Sequence, residues 1–304
     1  MIKKSLKYII PVIVIITLGV IISLICRTTD VKAVKIENKE FIIESIKDIM
    51  IRRSKSVIVD FKAGNADEDI LPELISDIIN GALYESSDPK GGDYLRYHFN
   101  GYEYTVNSEK TLFKYNYSLK ISPLYYTTIE EETFVDKEVE DILLNSGFDL
   151  NNRDLSEKDE YERVLFVHDY ICDNVSYDTV HKHMPGSNHI ESTAYGALKY
   201  HTALCQGYSL LAYRLCKELG VDVRIIIGNA TIENTKEKHA WNIVRIGDYY
   251  YNMDITMDDV NGVYDYFLKC DDAIKKDHER AEEFTSSDFD SNYTMSPENY
   301  NEQH

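Results

Sequence analysis

Residues 239–256 read His239-Ala-Trp-Asn-Ile-Val-Arg-Ile246-Gly247-Asp248-Tyr-Tyr-Tyr-Asn-Met-Asp254-Ile-Thr256. β-Branched and aromatic residues on both sides of Gly247-Asp248 predict two strands joined by a two-residue turn, with Gly first as in type II′. That turn pairs Ile246 with Tyr249. Counting back, Trp241 stands opposite Asp254 and His239 opposite Thr256. His239 and Asp254 then share one face as diagonal neighbours, about 7–8 Å apart between backbone positions. A carboxylate can reach an imidazole across that gap, fix its tautomer and stabilise its charged form. Taken alone, a His and an Asp on one strand face are more often a surface pair.

Upstream, residues 205–220 (CQGYSLLAYRLCKELG) are helix-compatible, with Gly220 as the stop and an apolar strand at 221–227. Cys205 falls in the first turn of that helix. Unpaired N–H groups and the positive dipole end favour a thiolate there and can hold an oxyanion. The alternative is a small buried apolar residue. Cys216 lies about 16 Å further along the same helix, so no disulfide joins the two. Cys172, Cys216 and Cys270 are expected in the core. A nucleophile at a helix start, a His on a strand and an Asp on the next strand form a cysteine-protease-like constellation.

Residues 194–198 (AYGAL), 205–209 (CQGYS), 219–224 (LGVDVR), 239–244 (HAWNIV) and 254–259 (DITMDD) resemble the core of the transglutaminase-like superfamily, in its bacterial cell-surface form. The resemblance runs from about 159 to 278 and takes in 266–272 (YFLKCDD). It implies an α+β papain-like core with Cys205 as nucleophile, His239 as general base and acid, and Asp254 as orienting carboxylate. It also implies an oxyanion site at the Cys205 N–H helped by Tyr195, with Gln206 and Trp241 beside the pocket. Met257 stands where similar proteins more often carry Trp, which alters a pocket wall rather than the triad. The implied chemistry is acyl transfer on protein or peptide amides through a Cys205 thioester, to an amine or to water. No organic cofactor is needed. The alternative is a non-catalytic envelope binding or assembly module that keeps the fold.

Around this core, the 304 residues suffice for one large domain or two modest ones. Hydrophobic residues make up 43% and charged residues 28%, the balance of an ordinary globular protein. Lys+Arg is 33 against Asp+Glu 52, a net charge of -19 that repels phosphate backbones and excludes nucleic-acid binding as the main role. Five cysteines are too few for a disulfide scaffold. Lys3, Lys4 and Lys7 precede an apolar run over residues 8–26, closed by Arg27. At about 1.5 Å per residue this run makes a helix of roughly 28 Å, enough to cross a bilayer. The expectation is an uncleaved single-pass anchor with the rest of the chain outside the cell. A cleaved signal peptide or a lipid on Cys26 are the rivals, and both also export the chain. Cell-surface proteins or peptidoglycan-linked peptides follow as substrates from location alone.

The organisation expected is therefore a flank and anchor at 1–27, an α+β (or α/β) region at 28–152, the catalytic domain at 153–280 and a loosely ordered polar tail at 281–304. Within the second part, helices are expected at 38–52, 67–84 and 128–145, and strands at 56–62 and 111–121. Over 113–121 aromatic and aliphatic residues alternate strictly with Lys, Asn and Ser. Ser156 and Asp159 form a capping box for a helix reaching about residue 175, with His168 on its apolar face as a hydrogen-bonded core residue. His181, His183 and His189, with Glu191 behind, could collect a metal, but their spacing fits no closed zinc pattern, so a mobile loop is the main reading. Asp258 and Asp259 extend an acidic cluster that lacks an EF-hand pattern.

Overall fold

The computed structural model describes residues 24–28, 31–36, 39–63, 71–110, 115–180, 190–232 and 234–300. The chain divides into two compact units, one of the residues up to Ser86 with Lys90–Ile129, the other of Ser87–Pro89 with Glu130–His304.

The first unit runs β1 (Leu24–Thr28), β2 (Val31–Ile36), α1 (Lys39–Ile51), β3 (Val57–Ala63), α2 (Leu71–Ala82), α3 (Gly92–His98), β4 (Phe99–Lys110) and β5 (Tyr115–Tyr125). All strands pair antiparallel, in the order β2-β1-β3-β5-β4. Ile42, Ile46 and Met50 of α1 and Ile75, Ile78 and Ile79 of α2 bury one apolar stripe each. They pack on Val57, Val59, Tyr117, Leu119 and Ile121 of the sheet. Alternation along β5 thus turns its apolar residues inward, while Lys120 is exposed.

Leu24, Ile25 and Cys26 lie in β1, not in the last turn of a helix as the apolar run suggests. A β-branched run satisfies strand and helix equally in sequence, and here β1 pairs with both β2 and β3. The remainder of the expected anchor, residues 8–23, lies outside the described residues. Among the described residues no helix is long and apolar enough to cross a membrane.

The second unit runs α4 (Ile129–Asn145), α5 (Glu157–Asn174), β6 (Ser176–Tyr177), α6 (Ala194–Tyr200), β7 (Thr202–Ala203), α7 (Cys205–Glu218), β8 (Val223–Ile232), β9 (Thr235–Ile246), β10 (Tyr249–Met253), α8 (Ile255–Asn261), α9 (Asp271–Ile274), β11 (His278–Arg280) and α10 (Ser287–Asn292). The break between units falls at 129/130, whereas the sequence suggested a linker near 152. Helix α4 goes with the second unit because its side chains are engaged there. Asp136 pairs with the buried Arg214 of α7 at 2.9 Å, and Phe134 packs edge-on against Tyr195 of α6.

Four antiparallel strands in the order β10-β9-β8-β11 form the central sheet. Gly247, with φ +61, takes the positive angle that the two-residue turn demands, and the register Ile246–Tyr249 extends to Asn242–Met253. Helix α7 packs on one face of this sheet, burying Leu210, Leu211 and Leu215. Asn242 of β9 ties helix and sheet together, its amide donating to the carbonyls of Ser209 and Arg224. The opposite face carries Ile226, Trp241 and Ile243, covered by Ile274, Phe284 and Phe289.

That cover overturns the expectation of a loose tail. Phe284 is 2% exposed, and Arg224 stacks over the rings of Phe289 and Tyr293. Tyr250 then bonds through its backbone to Thr294 and Ser296. A few aromatic side chains in a polar stretch suffice to hold it, because each ring buries a large area and the guanidinium satisfies the ring faces.

Candidate active site

Cys205 is the first residue of α7 and is half-buried. The preceding Leu204 supplies no side-chain cap, so the first N–H groups of the helix have no side-chain acceptor at the cap. Gly207 and Tyr208 already donate to the Leu204 carbonyl. The two-stranded parallel pair β6–β7 ends at Ala203 and delivers the chain to this helix start.

His239 sits on β9, buried, in register with Gly228 of β8. Asp254 follows β10 directly. The strand stops at Met253 because Asp254 caps α8, its Oδ1 accepting the Met257 N–H at 3.1 Å. Thr256 therefore lies inside α8 and not opposite His239 on a strand. The cap orients the second oxygen, Oδ2, toward the histidine, and His239 Nε2 meets it at 2.6 Å. With Nε2 committed to the carboxylate, Nδ1 is the ring nitrogen left for the sulfur, and Cys205 is near enough to the His239 ring to favour its charged form.

The electrostatics follow from this geometry. Burial alone would lower the His239 pKa. The Asp254 carboxylate and the hydrogen bonds with Asp254 and Cys205 outweigh it, so the imidazolium is favoured. Burial likewise opposes ionisation of Asp254. The His239 charge and the bonds from His239 and His278 prevail and hold the carboxyl well below its ordinary range. A sulfur beside an imidazole, itself held by a buried carboxylate, can pass its proton to nitrogen and attack an electrophilic carbon.

The remaining expected residues are placed differently. Trp241 is buried, at 1% exposure. It forms the floor under His239, with the rings 6.1 Å apart and nearly parallel, and its indole N–H donates to Asn252 Oδ1. Tyr195 makes its ring contacts with Phe134 and Tyr200, not with the triad. Gln206 is half-buried in the first turn of α7, next to Cys205. Met257 is buried and serves the site through its backbone N–H.

Two further residues belong to the site and left no local mark in the sequence. Tyr177, paired with Ala203, lies close enough to Cys205 and Asp254 for their charges to bear on it. Burial first, and then nearby negative groups including Cys205, Glu237, Asp178 and Asp254, push its hydroxyl pKa up. His278, on β11, bonds Asp254 Oδ2 through Nε2 at 2.9 Å. His239, Asp254 and His278 thereby bring three ligand-type atoms within 4.8 Å of one another. Direct hydrogen bonds at 2.6 and 2.9 Å account for the cluster, and these separations are shorter than two ligands of one tetrahedral metal ion require.

The other candidates resolve separately. His168 is buried between Asp169 and Asp258; burial opposes its charge, but the bonds to Asp258, Cys172 and Asp169 raise its pKa to about 10. Cys172 is half-buried, its sulfur 3.9 Å from His168 Nε2, rather than a plain core residue. Cys216 and Cys270 are buried. Asp258 accepts from His168 and from the Tyr266 N–H, and Asp259 from the Tyr208 hydroxyl, so these carboxylates do not converge on a common point. The loop carrying His181, His183 and His189 lies outside the described residues.

Residues 150–255 match the family model of the transglutaminase-like superfamily. This stretch is a transglutaminase-like domain. It holds Cys205, His239 and Asp254, and the match ends one residue past the carboxylate. Similar solved structures include a TGase, at 17% identity over 50% of this chain with a TM-score of 0.35. A proposed cysteine protease from Cytophaga hutchinsonii aligns at 17% identity over 52% of this chain, with a TM-score of 0.26. The chain spans 43% and 66% of those two structures. No curated protein matches.

Proposed function

We propose that the transglutaminase-like domain catalyses cysteine-dependent acyl transfer on protein or peptide amides. The observation that carries this reading is the buried 2.6 Å bond from His239 to Asp254, with Cys205 at a helix start near the same imidazole. The Cys205 thiolate attacks the amide carbonyl carbon, and the C–N bond breaks as His239 gives its proton to the departing amine. A thioester remains. An amine or water then attacks that carbonyl, loses a proton to His239 and releases the sulfur. The first acceptor gives cross-linking, the second deamidation or peptide cleavage.

The test offers a Gln-donor peptide with and without a primary amine and weighs the products. Incorporated amine supports transfer, and a gain of one oxygen for one nitrogen supports hydrolysis. Neither product, with Cys205 failing to label, would favour a binding or assembly module that keeps the fold. The lysines before residue 8 and the apolar residues 8–23 after them support an anchor with the domain outside the cell, acting on cell-surface or wall-linked peptides. Labelling intact cells with a membrane-impermeant maleimide tests that location.

A further inference from the structure

Asp254 Oδ2 is shared. His239 bonds it at 2.6 Å and His278 at 2.9 Å, both through Nε2. His278 is itself held from the other end, since its Nδ1 meets Asp277 Oδ1 at 2.7 Å and the Tyr266 hydroxyl donates to Asp277 Oδ2 at 2.7 Å. Carboxylate oxygens accept only, so the bond to Asp254 is donated by His278 Nε2. The ring is boxed in by Trp241, Tyr266 and His239, at centroid separations of 5.1, 5.3 and 5.6 Å. Asp254, His239, Asp277 and Tyr266 are thus the titratable groups that meet it.

Its arrival there depends on an edge strand. β11 pairs with β8, His278 opposite Ala230 and Arg280 opposite Gly228. Gly228 lets this happen, because a Cβ there would collide with the Glu279 carbonyl and approach the Trp241 ring at 2.9 Å. Arg280 fastens the strand, donating to Asn252 Oδ1 and Asp271 Oδ1.

We infer that His278 is a positioning residue that holds the Asp254 carboxylate in the orientation serving His239, with Asp277 clamping the ring from behind. The inference rests on Cys205, His239 and Asp254 acting together as proposed above. An apolar side chain at 278 would leave Oδ2 with one donor instead of two and free the carboxyl to turn about its cap bond to Met257. His239 would then lose its fixed acceptor, and the sulfur its charged partner. Losing one of two hydrogen bonds to a charged acceptor typically shifts such a balance about tenfold or more.

The measurement is iodoacetamide alkylation of Cys205 against pH in the full-length protein, read by mass on the Cys205 peptide. Three variants are compared with wild type: H278L, which removes the donor; H278Q, which keeps an N–H toward Asp254; and H239A, which tests the underlying triad. The expected result is an upward move of the alkylation midpoint by about one pH unit in H278L, with H278Q within about 0.3 unit of wild type. Asp277 is partly exposed, with 16% of its side chain accessible, so D277A removes the clamp without changing the buried 278 position. Its midpoint is expected to rise by about half a unit. An unmoved midpoint in H278L or D277A, or an equal move in H278Q and H278L, overturns the role of His278 while H239A still displaces the curve. A curve that H239A leaves in place removes the triad itself and this inference with it.

Discussion

Replacing Asp254 by Asn separates the carboxylate's structural role from its electrostatic one. The Asn oxygen can keep the bond from the Met257 N–H, so α8 stays capped. The amide NH2 must then face the two Nε2 atoms that now meet Oδ2. An NH2 only donates, so His239 has to accept at Nε2 and carry its proton on Nδ1, the nitrogen left for Cys205. In that tautomer the imidazole cannot take the thiol proton. We expect D254N to lose about a thousandfold or more in acyl transfer, close to 4 kcal/mol at about 1.36 kcal/mol per decade. Stability should fall by only about 2 kcal/mol, the worth of a charge-assisted hydrogen bond. Initial rates with the Gln-donor peptide give the first quantity and urea unfolding the second. A D254N protein that is folded and within about tenfold of wild-type turnover would refute the tautomer reasoning.

Phe284→Ala should destabilise the second unit by about 3–5 kcal/mol, read by urea unfolding, because the ring is fully buried against the sheet. His239 has a folded-state pKa above its reference of 6.5, so its stabilising contribution is complete below pH 6.5 and is lost as pH rises through the raised value. The stability gap between wild type and H239Q is therefore expected to be constant at acidic pH and to shrink by up to about 1.4 kcal/mol per unit above it. Cys216 is buried, which pushes its thiol up to about 12. A short maleimide pulse on the native protein should leave it unmodified and reach it only after unfolding.

Much of the site was legible because its parts are local. The Gly247 turn sets the β9–β10 register, and Gly220 and Cys205 bracket α7. The Ser156–Asp159 box starts α5 with both reciprocal bonds formed. Hydrophobic period alone marked α1, α2 and β5. What escaped is non-local. His278 lies 24 residues past Asp254 and has no periodic context; only the pairing of β11 with β8 carries it to the carboxylate. Trp241, two residues past His239 on the same face of β9, is buried in the core beneath it. β4 gave little signal because its sequence breaks alternation, with a register shift between Phe99 and Tyr102. The terminal aromatics were hidden by the polar residues around them.

The packed C-terminal segment bears on what the three candidate side chains need around them. A nascent chain halted after residue 255 already contains the sulfur, the imidazole and the acid. It lacks His278, the arginine clasp at Arg280 and the rings of Phe284 and Phe289 that seal the sheet. A chain cut there should therefore fold less stably and hold the Asp254 carboxylate by one partner fewer, although it carries all three side chains.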